Sequence, residues 1–216
     1  MSPLPAQFID RWGDRRGTPL YDDSVCWHLL LGGSAEVQAL ATEAQQRLGR
    51  FSGLHMTPQR WLHMTVLRAG PAASISHEAM EAMLARARKI LAGIPPVTVT
   101  LGRILYHPEA ISLGVSSADA LAPVLKAAQA ATYEVTGTSR STENSGEEWT
   151  PHLTLCYSTG EQPAAPVIAA LGKALPPCAV TIDQLSLVVQ NGPEQLWDWR
   201  VVGTARLLGA LHLPKS

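Results

Sequence analysis

The chain has few cysteines, little net charge and no long apolar segment, and each shortage excludes a class of protein. Its three cysteines are odd in number and form no C-x-x-C pair, which argues against a disulfide framework and against a cysteine-based zinc site. Basic and acidic residues number 17 and 18, for a net charge of −1. This balance argues against electrostatic binding of a long nucleic acid, although local charge can still bind a small anion.

Several targeting and binding signals are also missing. No apolar run reaches the roughly 18 residues of a transmembrane helix. Residues 1–18 are rich in Asp and Arg and lack the apolar core of a secretory signal, so we expect a reduced, cytoplasmic protein. The glycine-rich signatures of nucleoside triphosphate and dinucleotide loops are absent, and no H-x-H, D-x-D or H-E-x-x-H pattern suggests a metal. The sequence therefore predicts neither a metal nor another cofactor.

The composition that remains, 46% hydrophobic and 16% charged, is typical of a folded domain. Proline and charge in residues 1–24 indicate an N-terminal arm, residues 25–208 a single bilobal domain, and residues 209–216 a C-terminal tail. Apolar periodicity predicts helices at 35–48, 76–91, 117–135 and 164–175. Strands are predicted at 25–31, 61–68, 97–106, 110–115, 152–157, 180–189 and 196–207, with the last two forming a hairpin. The polar stretch 138–148 is predicted to be a loop.

The order of these elements repeats. Each half of the domain runs strand, helix, strand, helix and hairpin. This repeat predicts an α+β fold with two pseudo-repeats, in which two mainly antiparallel sheets face a central groove and the helices lie outside. The halves share little sequence identity beyond two short motifs.

The two motifs lie at the same point of each half. One is His63-Met64-Thr65-Val66 and the other is His152-Leu153-Thr154-Leu155. Because side chains alternate along a strand, each histidine shares a face with its threonine while the apolar residues face the core. Cys156 has the parity of His152, and packing is its expected role. Two such strands, brought together, offer two proton-transfer groups and two hydroxyl donors, which suits phosphate-ester chemistry without a metal.

The doubled His-x-Thr-apolar pattern resembles the two-histidine (2H) phosphoesterase superfamily, and in particular its bacterial 2′-5′ RNA ligase or RNA 2′,3′-cyclic phosphodiesterase members. The early strand around Trp27 and the late segments Leu185–Gln190 and Trp197-Asp198-Trp199 fit the same resemblance, which spans about residues 25–208. It implies catalysis by His63 and His152, with Thr65 and Thr154 on the phosphate. Many relatives carry an arginine five residues after each histidine; here Arg68 occupies the first position and Tyr157 the second.

Four further residues are predicted substrate contacts: Arg68, Tyr157, Trp149 and His28. For Trp149 core packing is the favoured role, with stacking on a base as the alternative. His28 is suggested only by its place in a neighbouring strand, and a structural role is favoured for it. The expected ligand is a nucleotide or short RNA end carrying a cyclic or 2′-linked phosphate, with no membrane and no obligate protein partner. A non-catalytic module that binds the same ligand is the competing interpretation. The residues do not determine the substrate, nor which histidine is the general acid and which the general base.

Overall fold

The computed structural model describes residues 4–13, 23–137 and 149–209, so the predicted loop 138–148 and most of the predicted tail lie outside it. The strands are β1 (Gln7–Phe8), β2 (Ser24–Leu30), β3 (Leu54–Met56), β4 (His63–Pro71), β5 (Val97–His107), β6 (Ala110–Ser116), β7 (His152–Ser158), β8 (Gln162–Pro163), β9 (Ala174–Ile182), β10 (Gln184–Gln190) and β11 (Trp199–Arg206). The helices are α1 (Ala35–Leu48), α2 (His77–Leu91), α3 (Ala122–Thr136) and α4 (Ala164–Leu171). None of these helices is long and apolar enough to cross a membrane.

Two antiparallel sheets dominate the fold, as the repeat predicted. The first sheet has the strand order β4-β2-β10-β11, and the second β7-β6-β5-β9 with the short β3 added beside β7. The sequence unit β2-α1-β4-α2 therefore corresponds to β6-α3-β7-α4. The C-terminal hairpin β10-β11 does not join the sheet of its own half. It completes the first sheet, which holds the N-terminal histidine strand.

Each sheet is covered by helices. Helices α2 and α3 pack on the first sheet, where the indole of Trp27 donates to Thr132 Oγ1 at 3.0 Å. Helix α1 packs on the second sheet, and α4 packs against α1 and β1. The two histidine strands β4 and β7 contact one another where the sheets meet. This arrangement sets the two motifs face to face across the groove.

Helices α1 and α2 begin where capping predicts. Ser34 Oγ accepts a hydrogen bond from the backbone N–H of Val37 at 3.3 Å, and Ser76 caps α2 in the same way. Such caps stabilise a helix by about 1 kcal/mol. Helix α4 is shorter than predicted, because Gly172 adopts a φ of +83° and the chain enters β9 at Ala174. The predicted third helix is divided into a short 3₁₀ turn at Ala118–Leu121 followed by α3.

The prediction of one strand at 180–189 was wrong. The segment contributes to both sheets, with β9 pairing with β5 in the second and β10 pairing with β2 in the first. Asp183 separates them, and its carbonyl accepts from Leu207 N at 2.8 Å. The last strand begins at Trp199 rather than 196, since Glu194–Leu196 form a 3₁₀ turn. Pro176 and Pro177 are tolerated in β9 because it is an edge strand.

Three short strands were not predicted. β3 extends the second sheet, while β1 and β8 pair with each other. Part of the predicted arm thus packs on the domain: Phe8 in β1 is completely buried. Strands of two or three residues are too short to show an alternating pattern, so the sequence carried no signal for them.

Candidate active site

A groove between the sheets contains both motifs. Eleven residues line it: Cys26, His28, His63, Thr65, His152, Thr154, Tyr157, Gln190, Glu194, Trp197 and Trp199. Six of the eight residues singled out in the sequence are therefore brought together. They come from β2, β4 and β7, and the other lining residues come mostly from the C-terminal hairpin.

The two histidine rings are held by equivalent hydrogen bonds. His63 Nδ1 lies 2.7 Å from the carbonyl oxygen of Trp61, and His152 Nδ1 lies 2.8 Å from that of Thr150. A carbonyl can only accept, so Nδ1 carries the proton in each neutral ring. Nε2 is consequently the nitrogen through which each ring takes up or releases a proton. The same local device, a carbonyl two residues earlier, orients both imidazoles.

Each histidine strand carries a β-bulge directly after its threonine. In β4, Thr65 lies opposite His28 and Leu67 lies opposite Trp27, which makes Val66 the additional residue. Because side chains alternate with a period of two, one additional residue moves every later position to the other face. The alternation predicted for the whole strand therefore holds only as far as the bulge.

Strand β7 has its bulge at the equivalent place. Thr154 lies opposite Ser112 and Cys156 opposite Ile111, so Leu155 is the additional residue. Cys156 is turned into the core, with none of its surface exposed, and does not share the face of His152. Burial raises the pKa of its thiol to about 12, which keeps it protonated.

The bulges also explain the positions five residues after each histidine. An odd spacing would place these side chains on the face opposite the histidine, yet Tyr157 lines the groove. Arg68 lies opposite the groove-lining Cys26, but its Nε donates to Ser24 Oγ at 3.0 Å, and Arg68 is not among the lining residues. The two equivalent positions are thus used differently.

The remaining predicted contact, Trp149, also lies outside the groove lining. It is half-buried, and its indole N–H donates to the carbonyl oxygen of Thr65 at 3.1 Å. This hydrogen bond links the lead-in to β7 with the strand of the opposite motif. Trp149 thus contacts the backbone of the first motif and does not line the groove.

His28 is the most enclosed polar residue of the groove, with 5% of its surface exposed. Its ring stacks on His63 at a centroid distance of 4.3 Å, and its Nε2 lies 3.4 Å from Thr65 Oγ1. Burial lowers the pKa of His28 well below its ordinary value, and the charge on a protonated His63 lowers it further. His28 is therefore neutral near pH 7.

Aromatic rings form one wall of the groove. Trp199 meets His63 edge to face at 4.7 Å and contacts His28 and Trp61 similarly. Trp197 stacks on His55 at 4.7 Å, although its backbone has a φ of +48°. A bulky residue in that region is strained by about 1–3 kcal/mol, and such strain often marks functional sites. The sequence shows that Trp197 and Trp199 are aromatic, but it does not show that the Trp199 ring lies against His28 and His63.

A charged cluster closes the end of the groove near Tyr157. Arg11, from the N-terminal segment, lies 4.5 Å above the Tyr157 ring. Its guanidinium donates to Glu194 at 2.9 and 3.1 Å and to Glu109 at 3.1 Å. A cation therefore lies beside the second motif, but the two carboxylates that it contacts more than offset its charge. Arg11 was not predicted at the site, because 141 positions separate it from His152 along the chain.

Within residues 4–13, 23–137 and 149–209, no group of three or more His, Cys, Asp or Glu side chains is arranged to hold a metal ion. The chemistry that the described groove offers is that of two imidazoles beside two hydroxyls. Such groups can exchange protons with a substrate and donate hydrogen bonds to an anion.

The fold agrees with comparisons against known proteins. A family model for the 2′-5′ RNA ligase superfamily matches residues 33–194. The chain therefore belongs to this superfamily, within the two-histidine phosphoesterases. The sequence matches no curated protein.

Solved structures show the same architecture. The protein TT0787 of Thermus thermophilus has a TM-score of 0.65 at 20% identity, with 87% of this chain and 99% of that chain covered. E. coli LigT complexed with 3′-AMP has a TM-score of 0.61 at 13% identity, with 87% and 98% covered. A protein described as a phosphoesterase has a TM-score of 0.61 at 15% identity, with 86% and 98% covered. At these identities the likeness establishes the fold.

Proposed function

We propose that this protein is a phosphodiesterase that cleaves a 2′,3′-cyclic phosphate or a 2′-5′ linkage at a nucleotide or RNA end, by acid–base catalysis at two histidines and without a metal. The observation that carries the proposal is the pairing of His63 and His152 across one groove, with equivalent hydrogen bonds at both Nδ1 atoms. A binding module needs no second proton-transfer group, whereas ester cleavage uses both.

The reaction assigns one proton transfer to each imidazole. One neutral ring takes a proton from water through Nε2 as the water oxygen attacks phosphorus. The other ring, protonated at the start, gives its proton to the ribose oxygen as the P–O bond breaks. The net reaction adds one water across the ester and leaves a phosphomonoester and a hydroxyl. Catalysis of this kind contributes about 10²–10⁴-fold per proton transfer.

Thr65 and Thr154 are the proposed donors to the non-bridging phosphate oxygens. Both threonines line the groove beside their histidines, which supports this role toward the charge that builds on phosphorus. The protonated imidazole supplies the positive charge. A cyclic phosphate or other diester carries a single negative charge, which matches one imidazolium and two hydroxyl donors.

The groove wall supports a nucleotide as the substrate. Tyr157 has a partly exposed ring beside the motifs, next to the largely buried Trp197 and Trp199, and aromatic rings stack on bases without strong sequence preference. Structures of E. coli LigT, which shares the fold, are complexed with 3′-AMP and with ATP. In dilute water we expect hydrolysis to be the net direction, although the reverse reaction would join a 2′-5′ link.

A substrate panel tests the proposal. The purified protein is assayed with 2′,3′-cyclic mononucleotides, a short RNA ending in a 2′,3′-cyclic phosphate, and 2′-5′ and 3′-5′ dinucleotides, with and without EDTA. We expect turnover of at least one cyclic or 2′-5′ substrate, unaffected by EDTA and lost in His63→Ala and His152→Ala. Binding of these ligands without turnover would support a non-catalytic module, and loss of activity in EDTA would contradict the metal-free scheme.

A further inference from the structure

Three polar side chains form a row across the first sheet behind its catalytic histidine. Thr65 in β4 lies opposite His28 in β2, and His28 lies opposite Ser186 in β10. Residues directly opposite one another in neighbouring strands point to the same face, with Cβ atoms about 4.5–5.5 Å apart. From the groove inward, the row therefore consists of the Thr65 hydroxyl, the His28 imidazole and the Ser186 hydroxyl.

The inner two residues of the row, His28 and Ser186, are buried, and each has a polar atom without a hydrogen-bond partner among the described residues. Ser186 has no exposed surface, and its Oγ has no hydrogen-bond partner among the described residues. The Nδ1 of His28 is likewise buried without a partner there. A buried polar atom without a partner is destabilising, and these two atoms would satisfy each other directly or through one water. At the other end of the ring, Nε2 already meets Thr65.

The second sheet shows what the equivalent position does. There Thr154 lies opposite Ser112 in β6, and Ser112 Oγ donates to Thr154 Oγ1 at 3.3 Å. The strand order makes Ser112 the counterpart of His28. A hydroxyl that accepts from its neighbour keeps its own proton for another acceptor. Thr154 is thereby set to donate into the groove.

Two tautomers of His28 are chemically possible, with opposite effects on Thr65. With the proton on Nδ1, the ring accepts the Thr65 hydroxyl proton at Nε2, and Thr65 presents only lone pairs to an anion. With the proton on Nε2, the ring donates to Thr65 Oγ1, and the Thr65 hydroxyl proton points to the substrate. In that second state Nδ1 accepts the hydroxyl proton of Ser186.

We propose that His28 is a positioning residue, held by Ser186 as the Nε2–H tautomer so that Thr65 donates its hydroxyl proton to the substrate phosphate. It does in the first sheet what Ser112 does in the second. The role of Thr65 toward phosphate rests on the proposed function, while the tautomer of His28 is a property of the free protein. Its tautomer is opposite to that of His63, whose Nδ1 faces a carbonyl.

Kinetic measurements test whether His28 acts by orienting the Thr65 hydroxyl. His28→Phe keeps a ring against His63 but removes both nitrogens, and should lower kcat about tenfold, the worth of one hydrogen bond. His28→Gln retains an amide N–H near the Nε2 position and should recover activity to within about threefold of the wild type. His77→Ala, at an exposed helix start, is the control and should leave kcat unchanged.

Double variants separate positioning from a general structural effect. Combined with Thr65→Val, His28→Phe should lower kcat by less than about twofold more, since the group it positions is gone. Combined with Thr154→Val, it should still lower kcat about tenfold. Equal losses in the two backgrounds would overturn the proposal. Ser186→Ala should show the same dependence on Thr65, with a smaller loss.

The tautomer is measured directly, without substrate, by long-range ¹H–¹⁵N NMR of the ¹⁵N-histidine-labelled protein, with His28 assigned from the His28→Gln spectrum. We expect Nε2–H for His28 and Nδ1–H for His63 and His152. An Nδ1–H signal for His28 would overturn the proposal whatever the enzyme's activity. If instead Nε2–H is found and no substrate of the panel turns over, the proposed function fails while the assigned tautomer stands.

Discussion

The two ends of the groove share one arrangement of histidine, threonine and β-bulge, which we call the frame, but they differ in the residues around it. Each end has a histidine oriented through Nδ1, a threonine two residues later, and a bulge after the threonine. The residue opposite the threonine is His28 at one end and Ser112 at the other. The frame follows from duplicated strand geometry, whereas the substituents around it are free to diverge. What is equal at both ends is therefore expected to serve the shared chemistry, and what differs is expected to orient the substrate.

The charge at the two ends differs in the same way. Arg68 is directed to Ser24, while Tyr157 lines the groove under the Arg11 guanidinium. Arg11 in turn forms ion pairs with two carboxylates, Glu109 and Glu194, which more than offset its charge. Positive charge near the second motif thus comes from a segment that precedes the whole duplicated unit.

The largest expected effect tests the equal part of the frame. His63→Ala and His152→Ala should each lower kcat/KM by about 10³-fold, because each removes one proton transfer. The double variant should lose little more than either single variant, since the two groups act in one step. Steady-state kinetics on the best substrate of the panel measure this. One histidine variant with near-normal activity would show that the two ends are not equivalent.

The threonines should give the next largest effect. Thr65→Val and Thr154→Val remove one hydroxyl donor each while keeping the β-branched shape, and each should lower kcat by about 10²-fold. Binding of inorganic phosphate, measured by calorimetry, should weaken in both. If either variant retains full kcat, its hydroxyl does not meet the transition-state charge.

The positions five residues after the histidines should differ from each other. Tyr157→Phe removes a hydroxyl from the groove lining, and we expect a three- to tenfold loss in kcat/KM, the worth of about one hydrogen bond. Arg68→Ala should change kcat/KM by less than about twofold, because its side chain is directed to Ser24. The opposite ranking of the two variants would mean that Arg68 turns to the phosphate when substrate binds.

The smallest effect concerns stability and pH. Native His28 is neutral because burial lowers its pKa, whereas in the unfolded chain it binds a proton below about pH 6.5. As pH falls from 7 to 5 the unfolded state is favoured, at a slope of at most about 1.4 kcal/mol per pH unit for this group. Urea unfolding should therefore show a shallower loss of stability in His28→Gln than in the wild type. Equal slopes would mean that His28 is already protonated in the native protein.

The sequence predicted the frame of this site but not its surroundings. Strand parity and the repeated element order were enough to place His63, Thr65, His152 and Thr154 on one groove, because both are local properties. The bulges were not predictable, since Val66 and Leu155 look like any other apolar strand residue. Strand parity alone would put Cys156 on the face of His152; packing, the role expected for it, is what the structure shows.

The surroundings depend on long-range pairing. Trp199 and Gln190 reach the groove because the C-terminal hairpin joins β2, and Glu194 lies in the turn between its strands. Arg11 reaches it because the N-terminal segment packs beside Ser158, whose carbonyl accepts from Arg11 N at 3.0 Å. Neither contact has a periodic signature in the sequence. The aromatic residues were noticed as part of a resemblance, and only the sheet order turns them into a groove wall.

The most direct test of two-histidine catalysis is the pH dependence of kcat/KM on the best cyclic substrate, in the presence of EDTA. The wild type should give a bell-shaped profile, with one limb from the base and one from the acid. His63→Ala should lose one limb from its residual activity and His152→Ala the other, which also identifies the base. A profile without limbs, or one in which both variants keep the full bell, would contradict the account.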